Sequence, residues 1–188
     1  MLERKEIRLF EEVENLIGVN NEWYNRKYEQ ELEYVIDNNI DNIEKLEVIT
    51  TTKEGYKVVK CTVDLANAGA PIACAVKISG ITDKYIVIDD LFYKLSTMAK
   101  QFVLTHEIAH LKFGHLDGLG DEGGILDDIE KEIEADGLAV KLFGKEVTIK
   151  SLKEVTRLVV SIIDKENVDT VKHLCEIMER RIEAIRNR

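Results

Sequence analysis

Residues 96–114 of the chain read STMAKQFVLTHEIAHLKFG, and this stretch predicts one long helix. Ser96 is a suitable N-cap because its hydroxyl oxygen can accept a hydrogen bond from a backbone N–H of the first turn. Apolar residues such as Phe102 and Ala109 follow at helical spacing. Gly114 lies where the helix should end, since glycine readily adopts the left-handed conformation that closes a helix. The fold is therefore expected to be organised around this helix.

The same helix carries a His-Glu-x-x-His motif formed by His106, Glu107 and His110. The two histidines are four residues apart, so their imidazoles share one helix face and can bind the same zinc ion. Glu107 directly follows the first histidine. Its carboxylate can therefore reach a zinc-bound water without binding the metal itself, as a general base must. The motif predicts a hydrolytic zinc site.

A hydrolytic zinc site needs a third protein ligand and leaves its fourth position to water. Glu132 and Asp136 are also four residues apart, on a second helix predicted for residues 126–143. We predict that Glu132 binds zinc and that Asp136 hydrogen-bonds the far ring nitrogen of a ligating histidine. Glu134 lies on a different face of that helix. The small residues that follow Asp136 would let the second helix lie close to the first.

Together the two motifs resemble those of the gluzincin metallopeptidases. HEIAHLKFGH at residues 106–115 and EIEADGLA at 132–139 are similar to the HtpX and CAAX-prenyl-protease family. That family is usually membrane-bound, whereas this chain has no run of about 18 apolar residues. Its size and its strand-then-helix order are equally similar to the compact ImmA/IrrE-type proteases. The resemblance covers residues 85–143. It implies a minimal zincin-like domain in which residues 85–89 form the sheet edge that binds substrate.

The remaining pattern predicts a single α+β domain over residues 1–188. We expect a mainly antiparallel sheet of about four strands, packed on the active-site helix and flanked by N- and C-terminal helices. The N-terminal helices are predicted within residues 1–40, the sheet and zinc-site core within 45–144, and two packing helices within 148–188. The predicted strands of the core are 46–52, 56–64, 72–79 and 85–89.

Composition limits the choice of partners and of compartment. The chain has 26 basic and 36 acidic residues, a formal charge of −10, which disfavours nucleic-acid binding. Cys61, Cys74 and Cys175 are widely spaced, which disfavours disulfides and a thiolate zinc site. The N-terminus lacks the apolar stretch of a signal peptide. We expect a cytoplasmic protein that binds a protein or peptide substrate, with a regulatory protein as a further partner and without membrane association. The oligomeric state is left open.

The predicted function is that of a zinc metalloendopeptidase. His106, His110 and Glu132 would hold Zn²⁺, and Glu107 would take a proton from the attacking water. The alternative is a non-catalytic, metal-stabilised regulatory or binding module derived from such a peptidase. Glu107 argues against that alternative, because a structural zinc gains nothing from a carboxylate beside its first ligand. A third interpretation is an α+β domain whose histidines are ordinary helix residues.

Two roles near the site are less defined by the sequence. His115 does not have the spacing of a metzincin third ligand, so we expect a helix-end residue that interacts with the helix dipole or with a carboxylate. The residue that stabilises the oxyanion is left open. The candidates for that role are Tyr85, Tyr93, His115, His173 and Arg180.

Overall fold

The computed structural model describes residues 47–60, 72–77, 83–116, 129–163 and 168–188, and these form an α+β fold. The predicted N-terminal helices lie outside the described residues. The four strands are β1 (Val48–Thr51), β2 (Lys57–Lys60), β3 (Ala73–Lys77) and β4 (Lys84–Ile88). A short 3-10 helix (Asp90–Lys94) leads into the four helices, which are α1 (Thr97–Phe113), α2 (Ile129–Phe143), α3 (Lys145–Ile162) and α4 (Val168–Arg186).

The strands form one sheet in the order β1-β2-β4-β3. β1 pairs with β2 and β3 pairs with β4 in antiparallel fashion, whereas β2 and β4 are parallel. The prediction of about four mainly antiparallel strands is therefore confirmed. The parallel pairing that joins the two antiparallel pairs was not predicted, because it links segments far apart in the sequence.

β4 is an inner strand, so the expectation that residues 85–89 form an edge of the sheet was wrong. β4 lies between β2 and β3, and among the described residues the sheet edges are β1 and β3. Tyr85, Ile86, Val87 and Ile88 are all buried. A continuous apolar run of this kind is typical of a strand that is covered on both faces. The edge strand that packs along α1 is β3.

The helix that carries the His-Glu-x-x-His motif begins and ends as predicted. The hydroxyl of Ser96 accepts a hydrogen bond from the N–H of Ala99 at 3.3 Å and donates one to Glu154 of α3 at 2.8 Å. Gly114 ends α1 in the left-handed conformation with φ 74°. α1 packs against β3 and also against α2 and α3. Its caps and its packing therefore fix the position of the motif relative to both layers.

The helices that follow α1 complete the core. Gly144 has φ 81°, a conformation that glycine adopts without strain, and it lets α3 begin directly after α2. The two C-terminal helices pack as predicted, since Leu152 and Val159 of α3 and Met178 and Ile182 of α4 lie in the core. Both α2 and α3 pack against α4. None of the helices in the described part of the chain is long and apolar enough to cross a membrane.

Candidate metal centre

Three side chains from two helices converge in the core between α1 and α2. His106 and His110 share one face of α1, and Glu132 projects from the first turn of α2. The Nε2 atoms of the two histidines are 3.0 Å apart. Oε2 of Glu132 lies 3.1 Å from Nε2 of His106, and Oε1 of Glu132 lies 3.2 Å from Nε2 of His110. All three residues are buried, and together they form a group that could hold a metal ion.

The far ring nitrogen of His106 faces Asp136. Oδ1 of Asp136 lies 3.1 Å from Nδ1 of His106, and the Asp136 side chain is completely buried. Burial alone would raise the pKa of Asp136, but the Arg181 guanidinium outweighs it and lowers that pKa. Because an ionised carboxylate only accepts hydrogen bonds, Nδ1 of His106 is the donor. Nε2 of His106 is therefore the nitrogen that faces Glu132 and His110, and loss of its proton exposes a lone pair to them.

His110 has a corresponding chain of partners. Nδ1 of His115 lies 3.0 Å from Nδ1 of His110, and Nε2 of His115 lies 3.2 Å from a carboxylate oxygen of Glu134. If Nε2 of His115 donates to the carboxylate, its Nδ1 accepts the proton of His110 Nδ1. His110 then also presents an Nε2 lone pair to the centre of the group. His115 is thus a buried helix-end residue in contact with a carboxylate.

The electrostatics of the group favour a positive charge between its members. Burial alone would lower the pKa of His106, but Glu132 and Asp136 outweigh it and raise that pKa to about 10. Burial would raise the pKa of Glu132, yet His106 and Arg181 hold it well below the usual range of a glutamate. A proton on Nε2 of His106 is therefore stabilised by Glu132, and a metal cation that replaces this proton would meet the same negative charge.

Glu107 connects this group to the edge of the sheet. One of its carboxylate oxygens, Oε2, accepts a hydrogen bond of 2.8 Å from the backbone N–H of Ala75 in β3. Burial raises the pKa of Glu107, although His106 and His110 act in the opposite direction. A carboxylate with a raised pKa can both accept and release a proton nearer to neutral pH. One fixed oxygen leaves the other, Oε1, for such a transfer.

Arg181 of α4 also reaches the group. Its Nη1 lies 2.9 Å from Oε2 of Glu132, and its Nε and Nη2 each donate to Asp136 at 2.8 Å. Only 13% of its side chain is exposed. Burial alone would lower the pKa of Arg181, but Asp136 and Glu132 raise it, so the guanidinium stays charged.

Comparison with known proteins identifies a family for the chain. A family model described as Peptidase U49 matches residues 21–168, well over half of the sequence. The chain belongs to the peptidase U49 family. The comparisons with curated proteins and with solved structures gave no match. Membership of this family supports peptidase activity. The matched range contains all three members of the metal-binding group and ends at the first residue of α4, so it does not include Arg181.

In this peptidase U49 protein, the sequence-predicted residues His106, Glu107, His110, Glu132 and Asp136 all lie at one place. The residues proposed from sequence for the oxyanion are mostly elsewhere. Tyr93, His173 and Arg180 are exposed, and Tyr85 is buried within β4, whereas His115 contacts His110.

Sequence reasoning missed Arg181, because residues 148–188 were predicted only to form packing helices. The spacing of Arg181 from apolar residues of the same helix nevertheless indicated a position next to the core. Arg181 is three residues after buried Met178 and four before buried Ile185, so it adjoins the apolar stripe of α4. A charged residue at such a position is one that a partner inside the protein has to neutralise.

Proposed function

We propose that this member of the peptidase U49 family is a zinc-dependent endopeptidase of the gluzincin type. In this proposal His106, His110 and Glu132 hold the ion, Asp136 orients His106, and Glu107 is the general base. The observation that carries the proposal is the convergence of three metal-binding side chains at separations of 3.0–3.2 Å. Two histidines and one glutamate are a known ligand set of catalytic zinc in peptidases.

The geometry of the group fits a zinc ion. Zinc bonds to nitrogen and oxygen of about 2.0–2.2 Å imply separations of about 3.3 Å between ligand atoms in a tetrahedral site. The two Nε2 atoms are 3.0 Å apart, and Oε1 of Glu132 lies 3.2 Å from Nε2 of His110, so both separations are close to that value. The hydrogen bonds from Nδ1 of both histidines leave the Nε2 lone pairs for the metal.

The charges of the group also fit a divalent cation. Ionised Glu107, Glu132 and Asp136 bring three negative charges into a poorly solvated region. Arg181 offsets one of them, so a divalent cation that replaces the proton of His106 would balance the remaining two. Buried charges need such compensation, because each uncompensated charge is costly in a medium of low dielectric constant.

A zinc ion in such a site acts as a Lewis acid that polarises a carbonyl group and lowers the pKa of water. The remaining steps belong to the side chains of this protein. Glu107 takes a proton from the water that attacks the peptide carbonyl and then transfers that proton to the leaving amine. The N–H of Ala75 holds Oε2 of Glu107 during this exchange, and Oε1 carries the proton.

The substrate is proposed to bind along β3. The N–H of Ala75 in β3 donates to Glu107, so the edge of β3 that pairs with no other described strand faces the base. An extended peptide that adds to this edge would have its backbone beside Glu107. This assignment moves the substrate-binding edge from residues 85–89 to residues 73–77.

Replacement of Glu107 by glutamine tests the catalytic part of the proposal. Glu107→Gln keeps the size of the side chain but removes the base, so cleavage should be lost while zinc content and unfolding temperature are retained. The matched control is Glu130→Gln, which removes an exposed carboxylate from α2. The substrate should be a cell-derived protein mixture analysed by mass spectrometry, because strand-edge binding contributes to transition-state stabilisation.

Two results would contradict the catalytic assignment. If zinc-loaded wild-type protein produces no new termini in that mixture, the non-catalytic, metal-stabilised module becomes the preferred function. If wild-type protein and Glu107→Gln produce the same termini, Glu107 is not the base. Cleavage by the wild type and by Glu130→Gln, together with its loss in Glu107→Gln, is the result that we expect.

A further inference from the structure

Arg181 approaches the metal centre from a helix that the family match does not cover. The match ends at residue 168, and α4 begins there. Buried Met178, Ile182 and Ile185 anchor this part of α4 in the core. The guanidinium therefore extends from a packed helix, and its position relative to α2 is fixed. A side chain of this length is otherwise flexible, so the packing matters for any role in orientation.

Arg181 makes a two-pronged contact with Asp136. Nε donates to Oδ2 at 2.8 Å, and Nη2 donates to Oδ1 at 2.8 Å. Two parallel hydrogen bonds of this kind fix the plane of a carboxylate as well as its position. Oδ1 of Asp136 is also the atom that faces Nδ1 of His106, at 3.1 Å. The orientation of the His106 ring therefore depends on Arg181 through Asp136.

The third guanidinium nitrogen contacts the carboxylate of Glu132. Nη1 lies 2.9 Å from Oε2, and the two carboxylates that Arg181 bridges are one helical turn apart on α2. A planar fork with several donors can hold both of them, whereas a lysine ammonium is a single point charge. By occupying Oε2, Arg181 leaves Oε1 of Glu132 as the oxygen that is free to bind a cation.

We propose that Arg181 is a positioning residue of the metal centre, which holds Asp136 and Glu132 in the arrangement that binds zinc and makes α4 a part of the site. This inference rests on the proposed function, because it concerns the zinc site of that function. It adds a residue and a structural element that neither the motifs nor the family match contain.

Charge repulsion and positioning predict opposite effects of Arg181 on zinc affinity. The guanidinium repels a divalent cation, so repulsion alone predicts that its removal would tighten zinc binding. If Arg181 positions the two carboxylates, its removal loosens both Glu132 and the Asp136–His106 pair, and zinc binding weakens. Loss of an outer-shell partner of a metal ligand typically weakens metal affinity by about 10 to 100-fold. The direction of the change therefore distinguishes the two effects.

The test compares zinc affinity in the full-length wild type, Arg181→Gln, Arg181→Lys and Arg180→Gln. Arg180→Gln is the matched control because it removes an exposed arginine from the adjacent position of α4. Affinity is measured by competition with a chromophoric chelator, and folding by circular dichroism. We expect a loss of about 10 to 100-fold in Arg181→Gln and no change in Arg180→Gln. The absorption spectrum of the Co²⁺-substituted protein should also change in Arg181→Gln, because its bands report the ligand geometry.

Arg181→Lys keeps the inference testable if Arg181→Gln fails to fold. Lysine preserves the buried positive charge but not the two-pronged contact, so we expect a folded protein with weakened zinc binding and an altered Co²⁺ spectrum. Wild-type affinity and an unaltered spectrum in Arg181→Lys would overturn the inference, as would tighter or unchanged binding in a folded Arg181→Gln.

The experiment separates this inference from the proposed function on which it rests. If zinc binding depends on His110 but is unaffected by either Arg181 variant, the zinc site stands and the role of Arg181 is refuted. If the wild-type protein binds no zinc, the proposed function is refuted, and the role of Arg181 is refuted with it.

Discussion

Replacing Asp136 by asparagine tests how strongly the carboxylate supports the metal centre. Asparagine has nearly the same shape, so Asp136→Asn removes a charge without creating a cavity. Asp136 is completely buried, and Arg181 donates two hydrogen bonds to it. Removing one partner of a buried ion pair costs about 3–5 kcal/mol. Arg181 retains its contact with Glu132, so we expect the lower part of that range, about 3 kcal/mol.

The same substitution should weaken zinc binding. The Nδ1 proton of His106 loses an ionised acceptor at 3.1 Å, and the ring is then held less firmly. The expected loss of affinity is about 10 to 100-fold, which corresponds to about 1.4–2.7 kcal/mol. Urea unfolding of the metal-free protein gives the first quantity, and chelator competition gives the second.

Glu130→Gln is the control for both measurements, since Glu130 is an exposed carboxylate on the same helix. If Asp136→Asn matches this control in stability and in zinc affinity, the reasoning from burial and hydrogen bonding is refuted. If Asp136→Asn loses all zinc while Glu132→Gln retains it, the two residues have exchanged roles, and Asp136 is the ligand.

Two further predictions concern the elements around the site. His115→Phe should weaken zinc binding by about 10-fold, because His110 loses the acceptor of its Nδ1 proton. Zinc affinity is measured by chelator competition, and a wild-type value in this variant would contradict the proton assignment. Ser96→Ala should destabilise the protein by about 1 kcal/mol, because the N–H of Ala99 loses the hydrogen bond to the capping hydroxyl. An unchanged midpoint of urea unfolding would show that Glu154 alone is sufficient to hold the start of α1.

The sequence was informative where the signal is local. The caps of α1 at Ser96 and Gly114 depend on neighbouring residues, and the i, i+4 spacing within α1 and within α2 decides which side chains share a face. Both helices, and the side chains they bring together, could therefore be predicted. The pairing of the two helices needed one further chemical premise, namely that zinc in a hydrolytic site requires a third ligand.

The features that sequence reasoning missed depend on contacts between distant segments. The parallel pairing of β2 with β4 decides which strand is the edge. The continuous apolar run of β4 indicates a strand covered on both faces, but it does not identify the strand that pairs with it. Arg181 is 45 residues from Asp136 along the chain, and its role depends on how α4 packs on α2. A single sequence indicates that such a residue adjoins a buried face, but it does not identify the group that the residue contacts.

The metal content of the protein tests the central claim most directly. Wild-type protein purified without added zinc should contain about one zinc per chain by elemental mass spectrometry. His106→Ala and Glu132→Ala should each lose it, whereas His173→Ala, which removes an exposed histidine of α4, should retain it. Wild-type zinc content in both His106→Ala and Glu132→Ala would contradict the assignment of the site.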